Sequence, residues 1–269
     1  MLPYPNIDPI IFSLGPLQVR WYGLMYILGF IAAYLLVRYQ AKLFSWKQML
    51  KHLDNLNLAI IVGVILGGRL GYILFYNPSY YLQHPFEILA TWQGGMSFHG
   101  GCIGVLVCGA LYCRRHNIDF WKGADLYVVT VPIGLGLGRI GNFMNAELYG
   151  RVTGAPWAMV FPGGGPLPRH PSQLYEALLE GVLLFIILWS LKARPWQDKG
   201  NKLWPHGSML VLFLILYGIF RFLVELVREP DPQLGRVLAG MTMGQLLSLI
   251  MVVSGILLWT WRSRASDRS

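Results

Sequence analysis

LNLAIIVGVILGGRLGYILFY, from Leu56 to Tyr76, carries one charge, Arg69. It reaches the ~20 residues that a helix needs to cross the hydrocarbon core of a bilayer. Six further runs behave alike: Trp21–Val37, Met96–Tyr112, Ala124–Asn142, Leu174–Leu191, Gly207–Glu225 and Met241–Trp261. The runs are continuous and not alternating, which favours helices over a barrel. Composition agrees. The chain has 269 residues, 55% hydrophobic and only 13% charged, where a soluble domain has about 25% charged residues. The expected fold is an all-α membrane protein: one multi-pass domain over residues 1–269, a bundle of about seven transmembrane helices with a small outer-side cap. The cap is the Gly-, Pro- and Asn-rich connection at about 143–173.

The net charge of +9 would suggest nucleic acid as the partner of a soluble protein. Here the charges cluster between apolar runs, which is a topology signal and excludes nucleic acid. Of the 22 Lys and Arg, fourteen fall on one side: Arg38, Lys42, Lys47 and Lys51; Arg114, Arg115 and Lys122; Lys192, Arg194, Lys199 and Lys202; Arg262, Arg264 and Arg268. Five fall on the other: Arg20, Arg151, Arg169, Arg228 and Arg236. The positive side is cytoplasmic, so the N-terminus is expected outside and the C-terminus inside. The N-terminal residues lack a basic stretch before the first run, so that run is expected to remain in the protein. Cys102, Cys108 and Cys113 fit no common zinc spacing and no complete disulfide set.

The remaining three basic residues, Arg69, Arg139 and Arg221, lie within apolar runs. An arginine there costs several kcal/mol, from ~3 to above ~10, unless it meets a partner or a wet cavity. With few carboxylates nearby, the three leave positive charge uncompensated, and a lipid phosphate matches arginine in bidentate fashion. Arg69, Tyr72 and Tyr76 share one helical face, and so do Tyr217, Arg221 and Glu225. Tyr76 fits an interfacial aromatic belt as well as a site. Arg221 and Glu225 also make a plain helix pair. Arg139 is followed by Asn142 and Asn145. GLGRIG contains a G-x-G-x-x-G match, but no strand precedes it, so a dinucleotide fold is rejected. Gly134 and Gly138 are instead expected to form a small-xxx-small helix contact. His99 stands among glycines in GGMSFHGG, where it is either a packing residue or a proton acceptor. HPSQLYE, from His170 to Glu176, opens the fifth run, and Glu176 and Glu180 read as acids favoured early in that helix.

These blocks carry a resemblance. RWYGLMY, LGGRLGYILFYN, GGMSFHGG, GRIGNFMNAELYGR, HPSQLYE and YGIFRFLVE, in that order, resemble the bacterial prolipoprotein diacylglyceryl transferases over essentially the whole chain. The resemblance implies transfer of the diacylglyceryl group of phosphatidylglycerol to the lipobox cysteine of a prolipoprotein, giving a thioether and glycerol-1-phosphate. It implies no metal or nucleotide cofactor, and a multi-pass place in the bacterial inner membrane with the active site toward the outer side. Its partners are phosphatidylglycerol, the lipobox segment and membrane lipids. It puts the phosphatidylglycerol-binding arginine on Arg139, a second key arginine on Arg221, an important histidine on His99, and further contributors on Tyr22, Asn142, Glu147 and Gly150. The connection between Phe161 and Pro168 is shorter than in some members. As catalytic residues we take His99, Arg139 and Arg221. As lipid-binding residues we take Arg139, Tyr22, Asn142, Glu147, Gly150, Tyr76, Tyr217, Glu225 and Arg69. A lipid or anion transporter and a structural membrane subunit are the competing readings.

Overall fold

The computed structural model describes residues 2–5, 7–15, 17–90, 94–197, 204–229, 236–238 and 240–266. Lys199, Lys202 and Arg268, which entered the charge count, lie outside the described residues. The chain is an all-α membrane protein. Among the described residues, six helices are long and apolar enough to cross a membrane: Trp21–Leu43, Lys47–Phe75, Phe120–Met144, Ser172–Trp196, Ser208–Glu225 and Met243–Arg264. The seventh run forms helix α4, Phe98–Arg115, whose glycines and final arginines dilute its apolarity. Helix α1, Trp21–Leu43, exposes Ile27, Leu28, Phe30, Ile31 and Leu35. That surface is sensible only with lipid as its solvent.

The described chain divides into two compact units, Met1–Val37 with Ala124–Ser269, and Arg38–Gly123. In the second, α2 (Lys47–Tyr76) packs on α4, with α3 (Pro78–Gln83) following α2. Gly63, Gly67 and Gly71 recur every four residues along α2 and meet Gly100 and Gly104. A Cβ on Gly104 would overlap the Gly63 carbonyl oxygen, and one on Gly67 the Gly100 carbonyl oxygen. Small residues thus let the two backbones touch. Helix α2 begins at Lys47, well before the apolar run, because its first turns carry Lys47, Lys51 and Asp54 outside the apolar stretch.

In the first unit, a hairpin of β1 (Ile10–Leu14) and β2 (Leu17–Arg20) precedes α1. The run Ala124–Asn142 is not one regular helix. It divides into α5 (Phe120–Val128) and α6 (Val131–Met144). Pro132 lacks an N–H and takes the start of α6, where no donor is needed. Next come α7 (Ser172–Glu176), a π-wound segment (Ala177–Leu183) and α8 (Leu184–Leu191). Helix α9 (Ser208–Glu225) packs against α10 (Met243–Ser266), and a short hairpin of β3 (Arg236–Leu238) and β4 (Met241–Thr242) leads into α10. Val128, Val129, Leu184, Leu188 and Met209 form a core, walled by Trp189, Phe213 and Tyr217. The expected small-residue contact forms at Gly134 and not at Gly138: a Cβ on Gly29 of α1 would lie 3.2 Å from the Gly134 Cα. A Cβ on Gly138 would meet nothing within 4 Å. A closer approach is Gly136 against Gly181, where a Cβ on Gly181 would lie 2.7 Å from the Gly136 Cα. It brings α6 against the π-wound segment.

Candidate active site

Three guanidinium groups converge on one buried carboxylate. Glu176, fully buried, receives Arg139 Nε at 2.7 Å on Oε2, and Arg221 Nη1 at 2.9 Å and Arg228 Nη1 at 2.8 Å on Oε1. Arg221 turns its Nη2 to Glu225 at 2.6 Å. Glu225 is fixed in turn by the Thr242 hydroxyl, which donates to it at 2.9 Å. Gly244 lies directly beneath, and a Cβ there would come within 2.8 Å of both Glu225 oxygens. Arg139 Nη2 stands 3.7 Å from Glu180, which is fully buried.

The sequence places these groups by simple means. Tyr217, Arg221 and Glu225 are successive turns of α9, so they face one way. Arg139 is three residues beyond Gly136 on α6, at the helix contact with Gly181. The helix bearing Glu176 and Glu180 widens into π winding immediately after Glu176. Such widened turns recur at functional sites. Arg228 arrives differently. The chain leaves α9 in a turn, and the connection between α6 and α7 holds it: Arg151 N donates to Val227 O at 2.8 Å, and Arg151 Nε to Arg228 O at 2.9 Å.

Two expectations are corrected here. Arg139 and Arg221 are not left uncompensated, because Glu176, Glu180 and Glu225 stand beside them, whereas Arg69 donates to backbone carbonyls. Nor are Glu176 and Glu180 helix-dipole acids alone, since both are buried and face the arginines. Arg228, counted as an outer-side surface charge, is only 9% exposed. Glu176, Glu180 and Arg228 were missed as site residues. The signal for the acids was available: two carboxylates four apart in an otherwise apolar span. For Arg228 none was, because a turn and not a periodicity aims it.

Around the cluster, Glu147 is the centre of a second polar group. Its Oε1 accepts from Asn142 Nδ2 at 2.8 Å and Asn145 Nδ2 at 3.2 Å. Its carbonyl accepts from Gln173 Nε2 at 2.6 Å. Ala146 and Leu148, on either side, have φ of 54° and 59°. Each left-handed non-glycine residue costs about 1–2 kcal/mol, so the loop is held in a strained shape by these bonds. Tyr22 feels both Glu147 and Arg139 electrostatically and shares a hydrogen bond of 2.9 Å with the Tyr26 hydroxyl. Gly150 sits where a Cβ would lie 2.6 Å from Val227 O and 2.7 Å from His170 Cβ. Only glycine lets the connection close beside Arg228. His170, just ahead of α7, shares a 3.1 Å hydrogen bond with the Tyr175 hydroxyl, and burial pushes its imidazole below the ordinary value.

The other candidates belong to the second unit. Arg69 is 4% exposed and gives its N–H groups to backbone: Nε to Ile88 O at 2.8 Å, Nη2 to Glu87 O at 2.6 Å, Nη1 to Gly94 O at 2.7 Å and Gly95 O at 3.2 Å. Gly94 and Gly95, at φ of 87° and 78°, turn those carbonyls toward it. The glycines of GGMSFHGG thus serve Arg69 and, through Gly100, the α2 contact. His99 is exposed near the start of α4, its ring 5.8 Å from that of Phe98. Tyr76 ends α2, and its side chain is outside the described set.

The sequence profile of the prolipoprotein diacylglyceryl transferases matches residues 9–261. The phosphatidylglycerol–prolipoprotein diacylglyceryl transferase of Desulfotalea psychrophila is 62% identical over 265 residues, covering 98% of this chain and 97% of the relative. Its namesake in Geobacter sulfurreducens is 52% identical, covering 95% of each. That of Bordetella avium is 50% identical, covering 100% of this chain and 99% of the relative. A profile match over nearly the whole length, and relatives this similar, mean that the chain belongs to the prolipoprotein diacylglyceryl transferase family.

Proposed function

We propose that the protein is an inner-membrane transferase that moves the diacylglyceryl group of phosphatidylglycerol onto the lipobox cysteine of a prolipoprotein. The products are a thioether and glycerol-1-phosphate. Family membership supports the reaction. The observation that carries it to particular residues is the pair Arg139 and Arg221, held side by side on the buried Glu176. Two guanidinium groups so placed match the oxygens of a phosphodiester.

In this scheme the lipid phosphate binds Arg139 and Arg221. The cysteine sulfur forms a bond to the glyceryl carbon, and the bond from that carbon to the phosphate oxygen breaks. The electron pair stays on the phosphate, which leaves with a second negative charge. Fixed guanidinium groups in an apolar span favour that charge strongly. Glu176 and Glu225 hold the guanidinium groups in place, so little reorganisation accompanies the step. Tyr22, Asn142 and Glu147 orient the glycerol, and Gly150 keeps the connection close enough to seat Arg228. A thiol has a pKa of about 8.5 and attacks well only as thiolate. The resemblance assigns the acceptance or relay of that proton to His99.

The lysine and arginine distribution supports an outward N-terminus and an active site toward the outer side. Purified protein incubated with phosphatidylglycerol and a lipobox peptide should add the mass of one diacylglyceryl group to the peptide. Lipid flux across a vesicle membrane with no mass gain would favour a transporter instead.

A further inference from the structure

Glu180 has no place in the scheme above, yet it is fully buried beside the phosphate ligand Arg139. Neither of its carboxylate oxygens has a hydrogen-bond partner among the described residues. Its nearest cation is Arg139 Nη2, at 3.7 Å. The charged and titratable groups that face it are Arg139 from α6, Tyr217 and Arg221 from α9, Arg228 beyond α9, and Glu176 on its own helix. Glu176 takes short contacts from all three arginines, and Glu225 takes one from Arg221. Glu180 is therefore the loosely held carboxylate of the cluster.

Charge balance gives that looseness a purpose. With every group ionised, Arg139, Arg221 and Arg228 carry three positive charges against three negative ones on Glu176, Glu180 and Glu225. The empty cluster is neutral. A phosphodiester monoanion would then leave one net negative charge inside an apolar span, which is costly. Protonating Glu180 removes that charge and frees the Nη2 edge of Arg139 for the phosphate.

We propose that Glu180 is an exchangeable counter-ion, which pairs with Arg139 in the empty site and takes up one proton when an anionic phospholipid binds. The inference rests on the reading that Arg139 binds the lipid phosphate. Its consequence for pH has a definite sign. Because binding takes up a proton, affinity weakens as pH rises, by up to tenfold per pH unit where the empty-site Glu180 is ionised. Glu180→Gln is permanently neutral, so it should bind without that dependence.

Calorimetry of the full-length protein with a short-chain phosphatidylglycerol tests this. Titrations between pH 6 and 9, in buffers of different ionisation enthalpy, count the protons taken up per lipid. The wild type should take up close to one proton in the upper part of the range, with a Kd that rises with pH. Glu180→Gln should take up none and hold its Kd constant. Glu180→Asp, if Gln proves poorly folded, should retain proton uptake. A wild type that takes up no proton at any pH overturns the proposal without reference to any variant. So does a folded Glu180→Gln with the wild-type pH slope. Arg139→Gln separates the two layers. If it binds phosphatidylglycerol as tightly as wild type, the phosphate-binding reading fails. If it loses binding while the wild type takes up no proton, only the role of Glu180 fails.

Discussion

Arg69 and Arg139 are both arginines within apolar helices, and they are accommodated in opposite ways. Arg69 spends its N–H groups on four backbone carbonyls of residues 87–95. Arg139 meets carboxylates, one at 2.7 Å and one at 3.7 Å. A carbonyl is fixed to the backbone and bears no charge to exchange. Its partner becomes a rivet between a helix and a loop. A carboxylate can release a guanidinium group to another anion, or accept a proton and cease to compete. The difference separates a structural arginine from one that can exchange partners with a phosphate, although both lie in similar stretches of sequence.

The largest break in that comparison should come from Arg221→Gln. Losing a fixed charge at the departing phosphate is expected to slow transfer by about 10³-fold. Single-turnover transfer to a lipobox peptide measures it. A normal rate would show that Arg221 only braces Glu225. For Arg69→Lys the expected effect is on stability. A lysine cannot fork to carbonyls on both sides, and the lost charged hydrogen bonds should cost about 2–4 kcal/mol. Thermal unfolding in detergent reads this. If the variant melts normally but transfers no lipid, Arg69 belongs with the lipid-binding residues after all. Gly104→Ala is a smaller test of the same unit. Its Cβ overlaps the Gly63 carbonyl, so α2 and α4 must separate, at about 1–3 kcal/mol. An unchanged melting temperature would deny that this glycine contact supports the unit.

The smallest effect is expected at His170, whose carbonyl accepts from Gly150 N at 2.8 Å in the frame that seats Arg228. Burial lowers its pKa, so the folded chain favours the neutral ring. Its contribution is present above the unfolded value of about 6.5 and falls away as acid protonates the unfolded chain first. His170→Asn should flatten the loss of melting temperature between pH 7 and 5 slightly. An identical pH profile would remove the assignment.

Much of the fold was legible because lipid imposes a simple rule: a run of about twenty apolar residues must satisfy its backbone internally. Leu56–Tyr76 reads correctly as helix on that rule alone. The break between α5 and α6 needed Pro132 to be weighed against the apolarity of the whole run. The π winding after Glu176 leaves no mark in composition, since ALLEGVL would suit a regular helix equally well. The site was half legible. Arg139, Arg221 and Glu225 stand out as charges in apolar surroundings. Glu176 and Glu180 carried the same signal, but their position early in a helix offered an ordinary explanation. Arg228 lies beyond the end of α9, and only the turn of the chain brings it back to Glu176.

The most direct test is the mass of a lipobox peptide after incubation with phosphatidylglycerol and either wild-type protein or Arg139→Gln. The wild type should add one diacylglyceryl group through a thioether bond. Folded Arg139→Gln should do so about 10³-fold more slowly. Transfer by Arg139→Gln at the wild-type rate would contradict the account, because the phosphate would then be held by something other than this cluster.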